Sequence, residues 1–529
     1  MRIKTAFMTG IAAATLAATP ASAETLTFAF QGPLNSLDPH SLNETFQLGF
    51  LGNIYEGLTR RGPDLAIQPA LAESWEIVEP NRWRFNLRQD VTFHNGNPFT
   101  ADDVVFSYER ATSEGSDVGG KLPGVVAVER IDDHTVDFVT DGPNPILTAE
   151  FDTWYIMDQE WAIENGADEV TNVAESDREF YANRNANGTN AFMIQEHQSD
   201  VRTVAVPNPD WWDEPVGNLT EVVFQPITSD STRVAALLSG EMDLVYPVPL
   251  QDQERVDSND GTNVLAGPEL RTIFLGMDQS RDELLYSDIE GANPFQDRDV
   301  RLAFYQAIDI DAIQQVVMRG ASTPSAAMVA PGINGYPANL ERYPYDPDAA
   351  RALLEEAGYG DGFEVQMNCP NDRYVNDEAI CQAIVGMLDR IGVTVNLLAE
   401  PRSVYFGRVL AQGGYDTSFY LLGWSPGSID SYNPLFNLTQ TRNPDTGSGT
   451  FNLGGYSDSV IDDLTNQVLV ETDQDARGDL INQAWLRLHE EVGYLPLHQQ
   501  ALSWGVRDGV DVSQRADNVF RWQYTTISN

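Results

Sequence analysis

Lysine is almost missing from this chain of 529 residues; it occurs only at positions 4 and 121, and arginine supplies every other cation. Against 32 basic residues stand 79 acidic ones, a formal charge of -47. A surface so acidic repels phosphate backbones and anionic headgroups, which argues against nucleic acid and peripheral membrane roles. Salty water makes such self-repulsion tolerable by screening. A codon preference running through a whole genome leaves the same trace, and neither reading bears on a ligand. Cysteine is scarce too: Cys369 and Cys381 are the only two. With no histidine pair beside them they do not make a zinc site. The six histidines are scattered without metal-motif spacing, so neither a metal nor a cofactor is expected.

Only one long apolar run exists, and it lies at the start. Met1-Arg2-Ile3-Lys4 is followed by an Ala-rich stretch to Ala18 and then by Ala21-Ser22-Ala23. This pattern predicts a secretory signal peptide over 1–23, cleaved before Glu24. The run is too short to span a bilayer. No cysteine stands at the cleavage point, so the exported chain is expected to be free in a periplasm rather than a lipoprotein. In that oxidising compartment Cys369 and Cys381 are expected to form a disulfide.

What is present suffices for large cores. Hydrophobic residues make up 42% and aromatics 10%, over a length that calls for two to four domains. Residues 25–30 alternate as a strand, and 229–240 read as a helix stopped by Gly240. The clearest pattern runs from 345 to 424. Asp346-Pro347 starts a helix with Ala350, Leu353, Leu354 and Ala357 on its apolar face. A strand over 363–369 follows, then a helix from Asp377 with Ile380, Ile384, Met387, Leu388 and Ile391 at helical spacing. A strand over 393–398, a helix over 402–412 and a strand over 417–422 complete it. Such alternation predicts an α/β lobe on a largely parallel sheet.

In open sheets of this kind ligands sit beyond the carboxyl ends of the strands. Arg373 and Asp430 fall at two such ends, with Gly423-Trp424-Ser425-Pro426-Gly427 between them. An anchored cation and an anchored anion over one crevice suit a zwitterion, although both also fit as ordinary loop charges. Catalytic motifs fail on inspection. The Gly423 to Gly427 segment has the spacing of a nucleophile elbow, but Pro426 lacks the N–H that an oxyanion hole uses. Residues 115–121 have phosphate-loop spacing, yet Leu122 stands where Ser or Thr would bind magnesium. Carboxylate pairs such as Asp102-Asp103 are too common in this composition to nominate a glycosidase, and Asp102 near a helix start reads as a cap, so no enzyme is expected.

Several separated motifs then occur in order. They are Ile54-Tyr55-Glu56-Gly57-Leu58, Pro69-Ala70-Leu71-Ala72-Glu73-Ser74-Trp75, Phe93-His94-Asn95-Gly96, Asn208-Pro209-Asp210-Trp211-Trp212, Gly240-Glu241-Met242-Asp243 and Leu495-Pro496-Leu497-His498. Together they resemble the periplasmic solute-binding proteins of peptide ABC importers, the dipeptide and oligopeptide type of family 5. The resemblance implies an α/β, periplasmic-binding-protein-like fold of two lobes with an extra N-terminal subdomain. Lobe I would comprise 24–50, 206–270 and 495–529, with 51–205 as its inserted subdomain, and lobe II would be 271–494. It implies a monomer that captures short peptides and delivers them to a membrane permease. Members with nickel chelates, haem, opines or oligosaccharides as ligands keep a non-peptide solute open. Asp430, four residues before Pro434, matches the aspartate that holds a peptide amino terminus, although about two extra residues separate it from Trp424. Arg373 matches the arginine that takes the carboxylate. Trp424, Tyr374, Tyr405 and Gly423 are the expected pocket walls, and the disulfide would brace the turn carrying Arg373. Gly188-Thr189-Asn190-Ala191-Phe192 departs from the usual Gly-Thr-Gly-Pro and aromatic pattern.

Overall fold

Two strands longer than all others organise the molecule. The structure is a computed structural model that describes residues 24–528 except 174, 175 and 177; the expected signal peptide lies outside the described residues. The main sheet follows a path of ten strands: β1 (Thr25–Phe30), β2 (Phe192–Gln198), β3 (Arg202–Pro207), β4 (Glu221–Pro226), β5 (Leu244–Tyr246), β6 (Thr262–Met277), β7 (Phe363–Pro370), β8 (Val393–Glu400), β9 (Phe419–Trp424) and β10 (Leu495–Arg507). Their order is β8-β7-β9-β6-β10-β5-β1-β4-β3-β2, with Thr323–Pro324 paired to β10 as an eleventh strand. The antiparallel pair β6 and β10 runs through both halves. Its register is regular from Thr262↔Arg507 to Pro268↔Ala501, breaks, and resumes at Thr272↔Gln499. Residues 269 to 271 thus face residue 500 alone, a bulge that bends the pair. On one side of this bend the pair joins β5, β1 and β4; on the other it joins β9 and β7. Distinct apolar cores lie on the two sides, one around Phe28, Phe50 and Trp522, the other around Phe304, Met367 and Phe419.

The α/β lobe forms for local reasons. Helix α1 (Pro347–Glu356) starts where Asp346 accepts from the Asp348 and Ala349 N–H groups, with proline in its first turn. Helix α2 (Asp377–Asp389) buries Ile380, Ile384, Met387 and Leu388. Its exit into β8 passes through Gly392, whose φ of 90° suits glycine. Strand β7 pairs in parallel with both β8 and β9, so all three end at one edge. Helix α3 (Arg402–Val409) joins β8 to β9. The expected disulfide is formed: Cys369 at the end of β7 bonds Cys381 in α2, with Cα atoms 6.6 Å apart and both residues wholly buried.

A separate four-stranded antiparallel sheet is built from Ala72–Glu79, Arg82–Leu87, Thr135–Thr140 and Val125–Asp132 in that order. The segment after it differs from the boundary drawn at 205. Strand β3 pairs with β4 through Thr203, Val204 and Ala205 against Phe224, Val223 and Val222, burying Ala205 and Val222, so β2 and β3 extend the main sheet.

Candidate functional site

At the common edge of β7 and β9, the loop that follows β9 meets the other lobe around Arg61, Leu65, Lys121 and Ile146. Beyond β9 the loop 425–431 reaches across: Arg61 Nη2 donates to the Ser428 carbonyl at 2.8 Å. Arg61 is itself fixed, paired with Asp152 at 3.0 Å and donating to the carbonyls of Leu65 and Ala149. A Cβ on Gly427 would lie 3.3 Å from Lys121 Nζ of the opposite lobe, so the loop passes close to that side chain. Leu65 and Ile146 pack into an apolar cluster with Ile429, Tyr432 and Leu435. The lobes are therefore closed on each other at this edge.

Glu150 lies buried at the same contact. Burial pushes its carboxyl up to about 7; the Lys121 and Arg61 charges oppose the shift and Asp152 adds to it. A carboxyl raised on folding takes up protons relative to the unfolded chain, so this contribution to stability is full below about pH 4.5 and is lost as pH rises through about 7. Glu150→Gln is accordingly expected to stabilise the protein at pH 8 by about 2 to 3 kcal/mol, a gain that vanishes near pH 4.5. Urea unfolding of both proteins across that range measures it.

Arg373 stands in the turn after β7, where Asp377 Oδ2 accepts from its N–H and from that of Tyr374 at 2.9 and 3.0 Å. The residue as a whole is exposed, and its guanidinium, tucked among its neighbours, makes no hydrogen bond or ion pair among the described residues. It lies over the Tyr374 ring at 5.2 Å, with Arg271 at 6.0 Å from the same ring. Enclosure by these neighbours, then the Arg271 charge, lowers its pKa. Arg271 is held by Glu269 at 3.2 Å, and Glu269 also accepts from Gln500 at 2.7 Å. Glu269, Arg271 and Gln500 are residues of the bend in β6 and β10, which places Arg373 beside the hinge.

Tyr374 is buried and donates to the Gly423 carbonyl at 3.3 Å. Position 423 has no room for a side chain, since a Cβ would sit 2.7 Å from both Tyr374 and Ile273. Trp424 is half-buried, donates to Asn433 Oδ1 at 2.9 Å and lies against Phe451. Arg373, Tyr374, Gly423 and Trp424 thus share one edge, with Asp430 in the loop that follows β9. Tyr405 does not join them: it is wholly buried in α3, its hydroxyl donating to the Leu421 carbonyl at 2.7 Å, and it serves the core of the lobe.

Asp430 does not offer the free carboxylate expected of it. Both oxygens are held by Arg477 at 2.8 Å, Oδ2 also accepts from Asn334 Nδ2 at 2.7 Å, and Oδ1 from the Tyr432 N–H at 2.8 Å. Arg477 lies on helix α4 (Gln474–Glu490), whose buried residues include Ile481, Ala484, Trp485 and Leu488. A cation in register with that apolar stripe is the one sequence signal for a buried carboxylate partner. Nothing comparable in the sequence marks Arg61, Ser428 or Glu269. Among the described residues, no three or more His, Cys, Asp or Glu side chains are grouped to hold a metal ion.

Two lobes joined by a bent pair of strands, closing edge to edge, define a two-lobed solute-binding protein. Residues 66–445 match the model for bacterial extracellular solute-binding proteins, family 5 middle region, and the chain belongs to that family. It is 26% identical over 459 residues to heme-binding protein A of Haemophilus influenzae, covering 82% of this chain and 78% of that protein. It is 24% identical over 496 residues to the glutathione-binding protein GsiB of Escherichia coli, covering 92% and 91%. The periplasmic binding protein DppA of Helicobacter pylori, solved with the peptide STSA, shares the fold with a TM-score of 0.77 at 24% identity, over 96% of this chain and 98% of that one.

Proposed function

We propose that this protein is an exported receptor that captures short peptides between its lobes and delivers them to the permease of an ABC importer. The observation that carries this reading is Arg373, a cation with no ion pair among the described residues, lying over the Tyr374 ring at the strand-end edge that also carries Trp424. A peptide carboxylate would supply the missing partner, and the two rings would wall the adjoining pocket. Closure over the ligand, through Arg61 and Ser428, would present the permease with the liganded form. The mature chain would begin at Glu24, unlipidated and monomeric in the periplasm, and would bind without chemistry. The glutathione-binding and STSA-bound relatives support a peptide ligand. The heme-binding relative from Haemophilus influenzae favours a second reading, a non-peptide solute held by the same fold.

A thermal-shift panel of di- to pentapeptides, haem, nickel chelates, opines and oligosaccharides separates the two readings. Bound ligand raises the melting temperature by mass action, about 2.7 kcal/mol of stabilisation at a hundredfold excess over Kd. Peptides are expected to raise it; a rise with another class and none with peptides refutes the peptide reading.

A further inference from the structure

We infer that Asp430 is a positioning residue for the closing loop and not an anchor for the ligand's ammonium, so that this receptor takes peptides by their carboxylate and accepts blocked amino ends. The inference rests on the peptide reading above. A carboxylate has about four lone-pair positions, and those of Asp430 are filled by Arg477 twice, Asn334 and the Tyr432 N–H. To take an ammonium it would have to release Arg477, which is 1% exposed and secured from behind by its Nε donating to the Val468 carbonyl at 3.0 Å. A buried guanidinium left without its carboxylate costs more than a solvated ammonium returns.

The surroundings show what the pair does. Asn334 N–H donates to the Ile429 carbonyl and Ser431 N–H to the Asn334 carbonyl, each at 3.0 Å, so the loop is clamped on both sides of Asp430. From that clamp the loop projects Ser428, whose carbonyl receives Arg61 from the opposite lobe.

The other carboxylates around Arg373 are also engaged. Glu269 serves Arg271 and Gln500. Asp377 accepts from three N–H groups of its own turn, those of Arg373, Tyr374 and Glu378. Asp372 Oδ1 accepts from the Arg402 N–H. Glu44, the lobe I carboxylate that acts on Arg271, caps its helix through the Gln47 N–H. Among the described residues, each of these neighbouring carboxylates is engaged, whereas the Arg373 guanidinium has neither a hydrogen bond nor an ion pair.

The test compares each tripeptide that raises the melting temperature with its N-acetyl and its C-amide form, by titration calorimetry on the wild-type mature chain. N-acetylation is expected to change Kd by no more than about threefold, and amidation to raise it about thirtyfold or more. A thirtyfold loss on acetylation overturns the inference while the peptide reading stands, and an amide that binds as well as the acid overturns the carboxylate anchor. Binding by no tripeptide removes the inference's ligand and overturns it together with the reading for this length. In Asp430→Asn the ratio of acetylated to free Kd is expected to keep its wild-type value; a changed ratio would show Asp430 reading the ammonium. Should that variant not fold, the wild-type comparison decides alone.

Discussion

Arg373→Ala is expected to weaken binding of a carboxylate-terminated peptide by about 2 to 5 kcal/mol while leaving the fold intact. The two halves of that expectation have separate grounds. Arg373 has no ion pair or hydrogen bond to the described residues, so its loss orphans no protein group. A bound carboxylate, by contrast, would be enclosed at the lobe edge with its main counter-charge removed, and desolvated anions without a partner are expensive. Arg373→Lys keeps the charge but loses the planar two-point fork, so it should recover only part of the affinity. Calorimetric titration gives the affinity and urea unfolding the stability; unaltered affinity in Arg373→Ala would remove this residue from the site.

Arg477→Ala should act in the opposite way, costing about 3 to 5 kcal/mol of stability. Asp430 is 3% exposed, and without Arg477 its charge would keep only Asn334 and one N–H as partners. Most of that cost is the penalty of a stranded anion rather than the net worth of the pair. Removing both charges, with Asp430→Asn and Arg477→Met together, should therefore recover much of the loss. Urea midpoints of the single and double variants check this. A double variant no better than Arg477→Ala would mean that the packing of the long side chain, and not the charge, is what counts.

The parts of the structure legible in the sequence are those governed by neighbours along the chain. Asp346 and Pro347 open α1, and Gly392 turns α2 into β8, because caps and left-handed turns are decided within a few residues. The parallel edge followed from the alternation of strands and helices, and that edge collects Arg373, Tyr374, Gly423 and Trp424. What escaped depends on distant pairing. Arg477 meets Asp430 from 47 residues away, and Arg61 meets Ser428 from 367. Neither separation leaves a periodic trace. The bulge at Glu269 is likewise a property of two strands together. Tyr405 is a different case: Val409, four residues on, is also wholly buried, and this shared helical face marks the residue as core.

The bend in β6 and β10 has a consequence for how such proteins can diversify. The chain leaves the first lobe once, along β6, and returns once, along β10. Everything between, including the Arg373 turn, the disulfide and the loop from Trp424 to Asp430, is one uninterrupted cassette. Two joints are enough to exchange it. A new recognition edge can then be tried while the partner lobe, with Arg61 waiting at its rim, is left as it was.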